Sequence, residues 1–358
     1  MKILLFANSS WNLYNFRIGL IDSLIKNNHE IYFFGKNDNN TKKLLKKNIN
    51  YLSLPLSKKG KNPLKEIITI LFFFFQIRKI KPDYILSFTI KPNLYSLLIS
   101  FFFKTKVIVN ITGLGNTFIN KNYLTYIIII FYKILINRAF YIFFQNKDDL
   151  NYFKKLNLLN KVKHGVIPGS GINLNFFKKR KKANFNKNIK FVFVGRTIRE
   201  KGVYEYCEAS KYIKDLYNNS SFSIIGFGEY NHLYKKYPHI DYIYSDEVNK
   251  LEYLNFDCLV LPSYREGLPR VILEFALLGI PSITTNVPGC REIIKDNYNG
   301  FLCEPFSITS LKNSIKNFLK LTLNKKLKMS YNAKKYVEEN FNEEIVINKY
   351  LKIMHEKK

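Results

Sequence analysis

The chain has 358 residues, 47% of them apolar, enough for two cores of ordinary domain size. Its formal net charge of +30 would suit nucleic acid, yet the sequence has no helix-turn-helix pattern, aromatic-studded sheet motif or zinc-ligand spacing, so no nucleic-acid partner is expected. The four cysteines, Cys207, Cys258, Cys290 and Cys303, lack Cys-x-x-Cys spacing and read as reduced, mostly buried thiols rather than disulfides.

Residues Met1–Ala7 form a short apolar run ending at a turn, which reads as a first strand and not as a signal peptide. Strands are expected at Ile3–Ala7, His29–Phe34, Asn50–Leu54, Tyr84–Ser87, Val107–Asn110 and Tyr141–Gln145, with helices between them, for example Asn15–Lys26 and Tyr123–Asn137. This alternation is that of parallel sheets covered by helices on both faces. The expected loop Asn8–Asn12 carries no glycine, which argues against a tight phosphate cradle. Trp11, the single tryptophan, suits either a sugar face or the core. Thr112-Gly113-Leu114-Gly115 follows a buried strand at its C-terminal end, where open α/β sheets bind ligands; its glycines either admit a ligand or only form a turn.

Residues 1–165 hold 26 Lys/Arg and 7 Asp/Glu, a net +19, and the remainder carries +11. Lys or Arg closely follows each of three apolar runs in this half, Ile67–Ile77, Leu97–Phe103 and Tyr126–Tyr132. None reaches the roughly 18–20 apolar residues that span a bilayer. They suit helices lying in the headgroup region of an anionic membrane surface, or ordinary core helices.

Lys161–Gly171 crosses to the second half with glycines enough for a hinge, and the charged stretch Lys178–Asn188 is expected as a loop. Lys190–Gly195 reads as a buried strand followed by Arg196 and Lys201, two cations placed to converge on one anion around a strand-to-helix turn. Phe222–Gly226 ends in Gly226-Phe227-Gly228, which lets backbone approach a ligand. Cys258–Pro262 is a further strand, and Pro269 suits the first position of the next helix. The N–H groups around Gly267–Arg270 then make an anion site. Glu266 at its mouth can reach a sugar, and Glu274 along the helix can accept from a ribose diol. Ser330–His355 has helical periodicity with a break near Asn340.

Gly195-Arg196 with Lys201-Gly202, Gly226-x-Gly228, Leu261-Pro262-Ser263 and Glu266-x7-Glu274 together resemble the C-terminal half of glycosyltransferase family four. Pro288–Glu292 and Asn299–Phe301 extend the resemblance over most of residues 188–345. Thr89–Tyr95 and Asn110–Gly115 are similar to a narrower branch of bacterial enzymes that extend undecaprenyl-diphosphate-linked sugars, as in capsule and O-antigen assembly.

The resemblance implies an α/β chain of the GT-B fold, two Rossmann-like domains facing a cleft. Residues 1–165 would form the acceptor domain, joined by a last helix from about 342, and residues 166–341 the nucleotide-sugar domain. It implies transfer of a hexose or N-acetylhexosamine, with retention, from a UDP-sugar donor to a lipid-linked saccharide acceptor. Glu274 would bind the ribose, Arg196 and Lys201 the diphosphate, and Glu266 the sugar hydroxyls, with Gly226, Gly267 and Leu268 lining the donor. In the first half Asn8, Ser9 and Asn12 would meet sugar hydroxyls and Arg17 the acceptor diphosphate. Gly113 and Gly115 would admit the acceptor. Many members carry a His where Ile90 stands; Lys91 and Asn93 are the polar groups there, as ligands or as a solvated lysine and a helix cap.

No Asp-x-Asp occurs and the five histidines have no ligand spacing, so no cofactor and no metal are expected, and cations neutralise the leaving group instead. The expected location is cytoplasmic, peripheral on the inner face of the plasma membrane. Three alternatives stand beside this reading. They are a soluble transferase with a non-lipid acceptor or a GDP-sugar, a GT-B epimerase, and a non-catalytic basic membrane binder.

Overall fold

The structure is a computed structural model and describes residues 1–53, 63–114, 123–177, 184–185, 187–230, 232–244 and 250–356. The chain divides into two compact units, Met1–Gly171 with Glu343–Lys358, and Ile172–Asn342.

The first unit is built on β1 (Lys2–Ser9), β2 (Glu30–Lys36), β3 (Asn50–Ser53), β4 (Tyr84–Phe88), β5 (Lys106–Ile111), β6 (Tyr141–Phe144) and β7 (His164–Val166). They pair in parallel in the order β3-β2-β1-β4-β5-β6-β7. A parallel sheet is covered on both faces, which is why its strands read as unbroken apolar runs. Side chains alternate along β1: Ile3, Leu5 and Ala7 enter one core cluster, Leu4 and Phe6 the other. Helices α1 (Ser10–Lys26) and α2 (Thr41–Leu45) cover the first face through Leu13, Leu24 and Leu44. The last helix, Glu343–His355, joins that face through Val346, Tyr350 and Met354. On the other face lie α3 (Pro63–Ile80), α4 (Ile90–Ile99), α5 (Tyr123–Leu135) and α6 (Lys147–Lys155), through Phe73, Leu97, Tyr132 and Phe153. Each such buried side chain contributes about 1.5–3 kcal/mol by leaving water.

The second unit holds β8 (Ile189–Val194), β9 (Ser220–Gly226), β10 (Ile240–Tyr244), β11 (Cys258–Leu261), β12 (Ser282–Thr285) and β13 (Gly300–Cys303). All pair in parallel, in the order β10-β9-β8-β11-β12-β13. Its helices are α7 (Val203–Leu216), α8 (Leu233–Lys236), α9 (Arg270–Leu277), α10 (Cys290–Ile293), α11 (Ile308–Lys320) and α12 (Leu323–Asn340). Strand order reverses between β1 and β4 in the first sheet and between β8 and β11 in the second. Open α/β sheets bind ligands at the C-terminal ends of strands at such points.

Three sequence expectations need correction. The stretch Asn8–Asn12 is not a loop: β1 runs to Ser9 and α1 starts at Ser10, because the Ser9 hydroxyl accepts from the Asn12 N–H and caps the helix. The glycine-rich crossing Lys161–Gly171 contains β7, whose backbone continues the sheet beside β6. Pro269 precedes α9 as its cap residue and is not its first residue. The loop expected over Lys178–Asn188 falls largely outside the described residues, at 178–183 and 186. All four cysteines are free and buried. Burial above all pushes the Cys207 and Cys303 thiols up to about 12.

Candidate active site

The turn after β8 is shaped by two glycines. Gly226, at the end of β9, lies so close to the preceding strand's turn that a Cβ there would stand 1.9 Å from the Gly195 carbonyl oxygen. Gly202, with φ +70°, ends the short 3-10 turn Arg199–Lys201, and a Cβ there would meet the Pro262 carbonyl oxygen at 2.1 Å. The β8–α7 turn is thereby drawn against the segment that follows β11. The Thr197 N–H donates to the Phe227 carbonyl at 2.9 Å and the Tyr264 N–H to the Glu200 carbonyl at 2.9 Å, closing three turns into one surface.

On that surface Lys201 Nζ donates to Glu266 Oε1. Their side chains are only 22% and 11% exposed, so the pair is partly desolvated and its charges interact more strongly than in water. Arg196 lies on the same turn, exposed, and its guanidinium has no partner among the described residues. Gly267, Leu268 and Pro269 lead from Glu266 into α9, whose first-turn N–H groups point out of the helix start.

Glu274 is 5% exposed on α9 and pairs with Arg270 at 3.3 Å, one helical turn before it. It also holds Tyr253, whose phenol is raised, first by burial and then by the Glu274 charge and hydrogen bond. The residue expected at a ribose is thus part of a buried ionic cluster. Its i, i+4 spacing from Arg270 was the available sequence signal; nothing in the sequence indicated Tyr253. Cys290 opens α10 beside this surface, where burial first and the Glu266 charge second raise its thiol.

In the first unit the predicted acceptor residues divide. Asn8, Ser9 and Asn12 sit at the C-terminal end of β1 and the start of α1. The Asn12 Oδ1 is buried with no hydrogen-bond partner among the described residues. Trp11 stays 40% exposed, edge-on to Phe16 at 5.3 Å, and is not a core residue. Arg17, expected at the acceptor diphosphate, is 4% exposed and its guanidinium lies over the Phe88 ring at 4.6 Å. Lys91 pairs with Glu66 at 2.6 Å, and Tyr95 donates to the same carboxylate. Asn93 is buried and donates to the Asn110 carbonyl at 3.1 Å. Gly113 lines a small cavity of about 10 Å³ with Thr89, Asn93, Thr112 and Tyr132, room for roughly one water. Gly115 lies outside the described residues.

Sequence reasoning missed Thr89. It follows β4 at the switch point with φ +77°, a conformation costly for a β-branched residue, and its hydroxyl is buried without a partner among the described residues. Asn110 was missed as well. It ties β5 to the last helix, donating to the Tyr350 hydroxyl at 2.8 Å and accepting from Gln145 at 3.3 Å.

Two family models account for most of the chain. Residues 2–146 match the model described as glycosyl transferase 4-like, and residues 175–336 match glycosyl transferases group 1. The chain belongs to the glycosyltransferases. It is 26% identical to the N,N'-diacetylbacillosaminyl-diphospho-undecaprenol α-1,3-N-acetylgalactosaminyltransferase of Campylobacter jejuni, over 99% of this chain and 98% of that one. It is 31% identical to the UDP-Gal:α-D-GlcNAc-diphosphoundecaprenol α-1,3-galactosyltransferase of Escherichia coli, over 55% of each chain. Among solved structures it superposes on Anabaena HepE in complex with UDP and glucose, with TM-score 0.77 and 16% identity over 98% of each chain. It also superposes on sucrose-phosphate synthase from Thermosynechococcus elongatus, with TM-score 0.81 and 16% identity over 99% and 98%. The fold of this glycosyltransferase is therefore GT-B, and a non-catalytic role is set aside.

Proposed function

We propose that this glycosyltransferase moves a hexose or N-acetylhexosamine from a UDP-sugar to an undecaprenyl-diphosphate-linked saccharide, with retention at the anomeric carbon. The second unit takes the nucleotide sugar and the first unit the acceptor. The observation that carries this reading is the Lys201–Glu266 pair at the β8/β11 switch point, with exposed Arg196 on the same turn. The names of the Campylobacter and Escherichia relatives support the acceptor class. The UDP-glucose complex of HepE supports a uridine nucleotide.

When the donor's glycosidic bond breaks, negative charge collects on the departing diphosphate. Arg196 and Lys201 offer fixed positive charge there, and preorganised charge that needs no rearrangement is usually the largest single catalytic contribution. Glu266 holds Lys201 in position and, with Gly267 and Leu268, orients the sugar. Glu274 accepts from the ribose diol. The acceptor hydroxyl then attacks the face the diphosphate leaves and passes its proton to the departing diphosphate oxygen, so configuration is retained and no enzyme nucleophile is required. With two cations present, the diphosphate needs no metal ion.

The first unit's other face supports a membrane surface as partner, from the cytoplasmic side. Helices α3 and α5 leave Ile68, Leu71, Phe75, Ile130 and Ile134 exposed beside the cations at their ends. Among the described residues no helix is long and apolar enough to cross a membrane, so these faces suit helices lying on one.

The chemistry is tested by following transfer to a soluble polyprenyl-diphosphate sugar in excess EDTA, with the new linkage assigned by NMR. Full turnover and an α-linkage from an α-linked donor are expected. Loss of turnover that Mg²⁺ or Mn²⁺ restores would refute neutralisation by side chains alone, and a β-linkage would refute retention.

A further inference from the structure

At the edge of the first sheet opposite the strand C-termini lies a recess of about 710 Å³, within the usual ligand-pocket range of about 300–1,000 Å³. Arg78 at the end of α3, Lys81 before β4, and Lys104 and Lys106 at the start of β5 line it, against the rings of Tyr84, Phe102 and Phe103. Two carboxylates also line it, and both are engaged: Asp83 accepts from the Lys2 N–H at 2.7 Å, and Glu356 lies 3.6 Å from Lys163. Lys106 leans on Tyr84, with its Nζ 3.2 Å from the phenol oxygen. Arg78, Lys81 and Lys104 have no carboxylate partner among the described residues.

The recess is continuous with the apolar face of α3. Leu64, Ile68, Leu71 and Phe75 follow one another at helical steps of four, three and four, and the next step of three is Arg78. Phe102, 65% exposed at the rim, touches Phe74 of α3 with ring centroids 5.5 Å apart. An apolar stripe ending in a fork of cations matches a molecule with acyl chains and a phosphate. Helix α3 has 18 residues, so at a rise of 1.5 Å each the recess stands about 27 Å from its other end, beside the strand C-termini. It is not the acceptor site.

We propose that this recess holds the phosphate of an anionic phospholipid and anchors the far end of the membrane-lying face. The inference rests on the membrane reading above. Arg78 offers a planar fork to the phosphodiester, Lys81 and Lys104 add point charge, and Phe102 lies along the acyl chains.

The test uses the full chain and dihexanoyl phosphatidylglycerol below its micelle concentration, a lipid that needs no membrane. Saturable binding is expected, with dihexanoyl phosphatidylcholine and inorganic phosphate bound far more weakly. The Lys81→Ala/Lys104→Ala variant should bind the monomeric lipid about 25-fold more weakly, at about fivefold per cation. Its transfer to a soluble acceptor should stay unchanged, which shows that it folds. Unaltered lipid affinity in this variant, phosphate binding equal to lipid binding, or concentration-dependent dimers that occlude Phe102 would each overturn the proposal. The Phe75→Ser/Ile130→Ser variant should keep monomer binding while losing flotation with phosphatidylglycerol vesicles. If it still floats like wild type, the membrane reading fails, whatever the recess binds.

Discussion

Replacing Lys201 with alanine is expected to lower turnover about 10²–10³-fold, the usual loss when one donor to a developing oxyanion is removed. Lys201→Ala also leaves the 11%-exposed Glu266 carboxylate without its cation, so a lowered melting temperature should accompany the rate loss. Arg196→Ala separates the two effects. Its guanidinium is exposed and unpartnered among the described residues, so stability should hold while turnover falls by a similar factor. Both variants are read by initial rates at saturating donor and by thermal unfolding without ligand. Wild-type rates in both would remove these residues from the diphosphate site.

Glu274 gives the second large effect, and on two axes. It is 5% exposed and balances the largely buried Arg270 guanidinium at 3.3 Å, so Glu274→Ala removes one charge of that pair. Removing one partner of a buried pair costs about 3–5 kcal/mol, and urea unfolding of this variant should show a loss of that order. Glu274→Gln keeps the side chain's shape and its capacity to accept from Tyr253, but not its charge. A hydrogen bond to a charged group contributes about 1.5–3 kcal/mol, so the glutamine variant should bind UDP at least about tenfold more weakly. Unchanged UDP affinity in Glu274→Gln, with the alanine variant destabilised, would make Glu274 a structural partner of Arg270 and not a ribose ligand.

Much of the fold was legible because parallel strands buried on both faces leave continuous apolar runs, as at Ile3–Ala7, Phe191–Val194 and Cys258–Leu261. The glycines at 202 and 226 were legible as turns, though not the reason they must be glycine. That reason is carbonyl oxygens of Gly195 and Pro262, supplied by neighbouring strands. Strand register likewise decides the pairing of Lys201 with Glu266, 65 positions apart, which local spacing could not reveal. At the start of the chain a polar run was read as a loop, because Asn and Ser favour turns. The same residues, with Ser9 as cap, start α1. Arg17 is expected at the acceptor diphosphate, and its burial over the Phe88 ring leaves no trace in local spacing. The strained backbone of Thr89 leaves no trace in composition or spacing.

The central claim is most directly tested by offering the full chain UDP-, GDP- and dTDP-sugars with a short-chain polyprenyl-diphosphate monosaccharide, and separately with the free sugar. Transfer from a UDP-hexose or UDP-N-acetylhexosamine to the lipid-linked acceptor, and not to the free sugar, is the predicted result. Transfer from GDP-mannose alone would contradict the donor assignment. Transfer to the free sugar but not to the lipid-linked one would contradict the acceptor assignment, and with it the membrane face of the first unit.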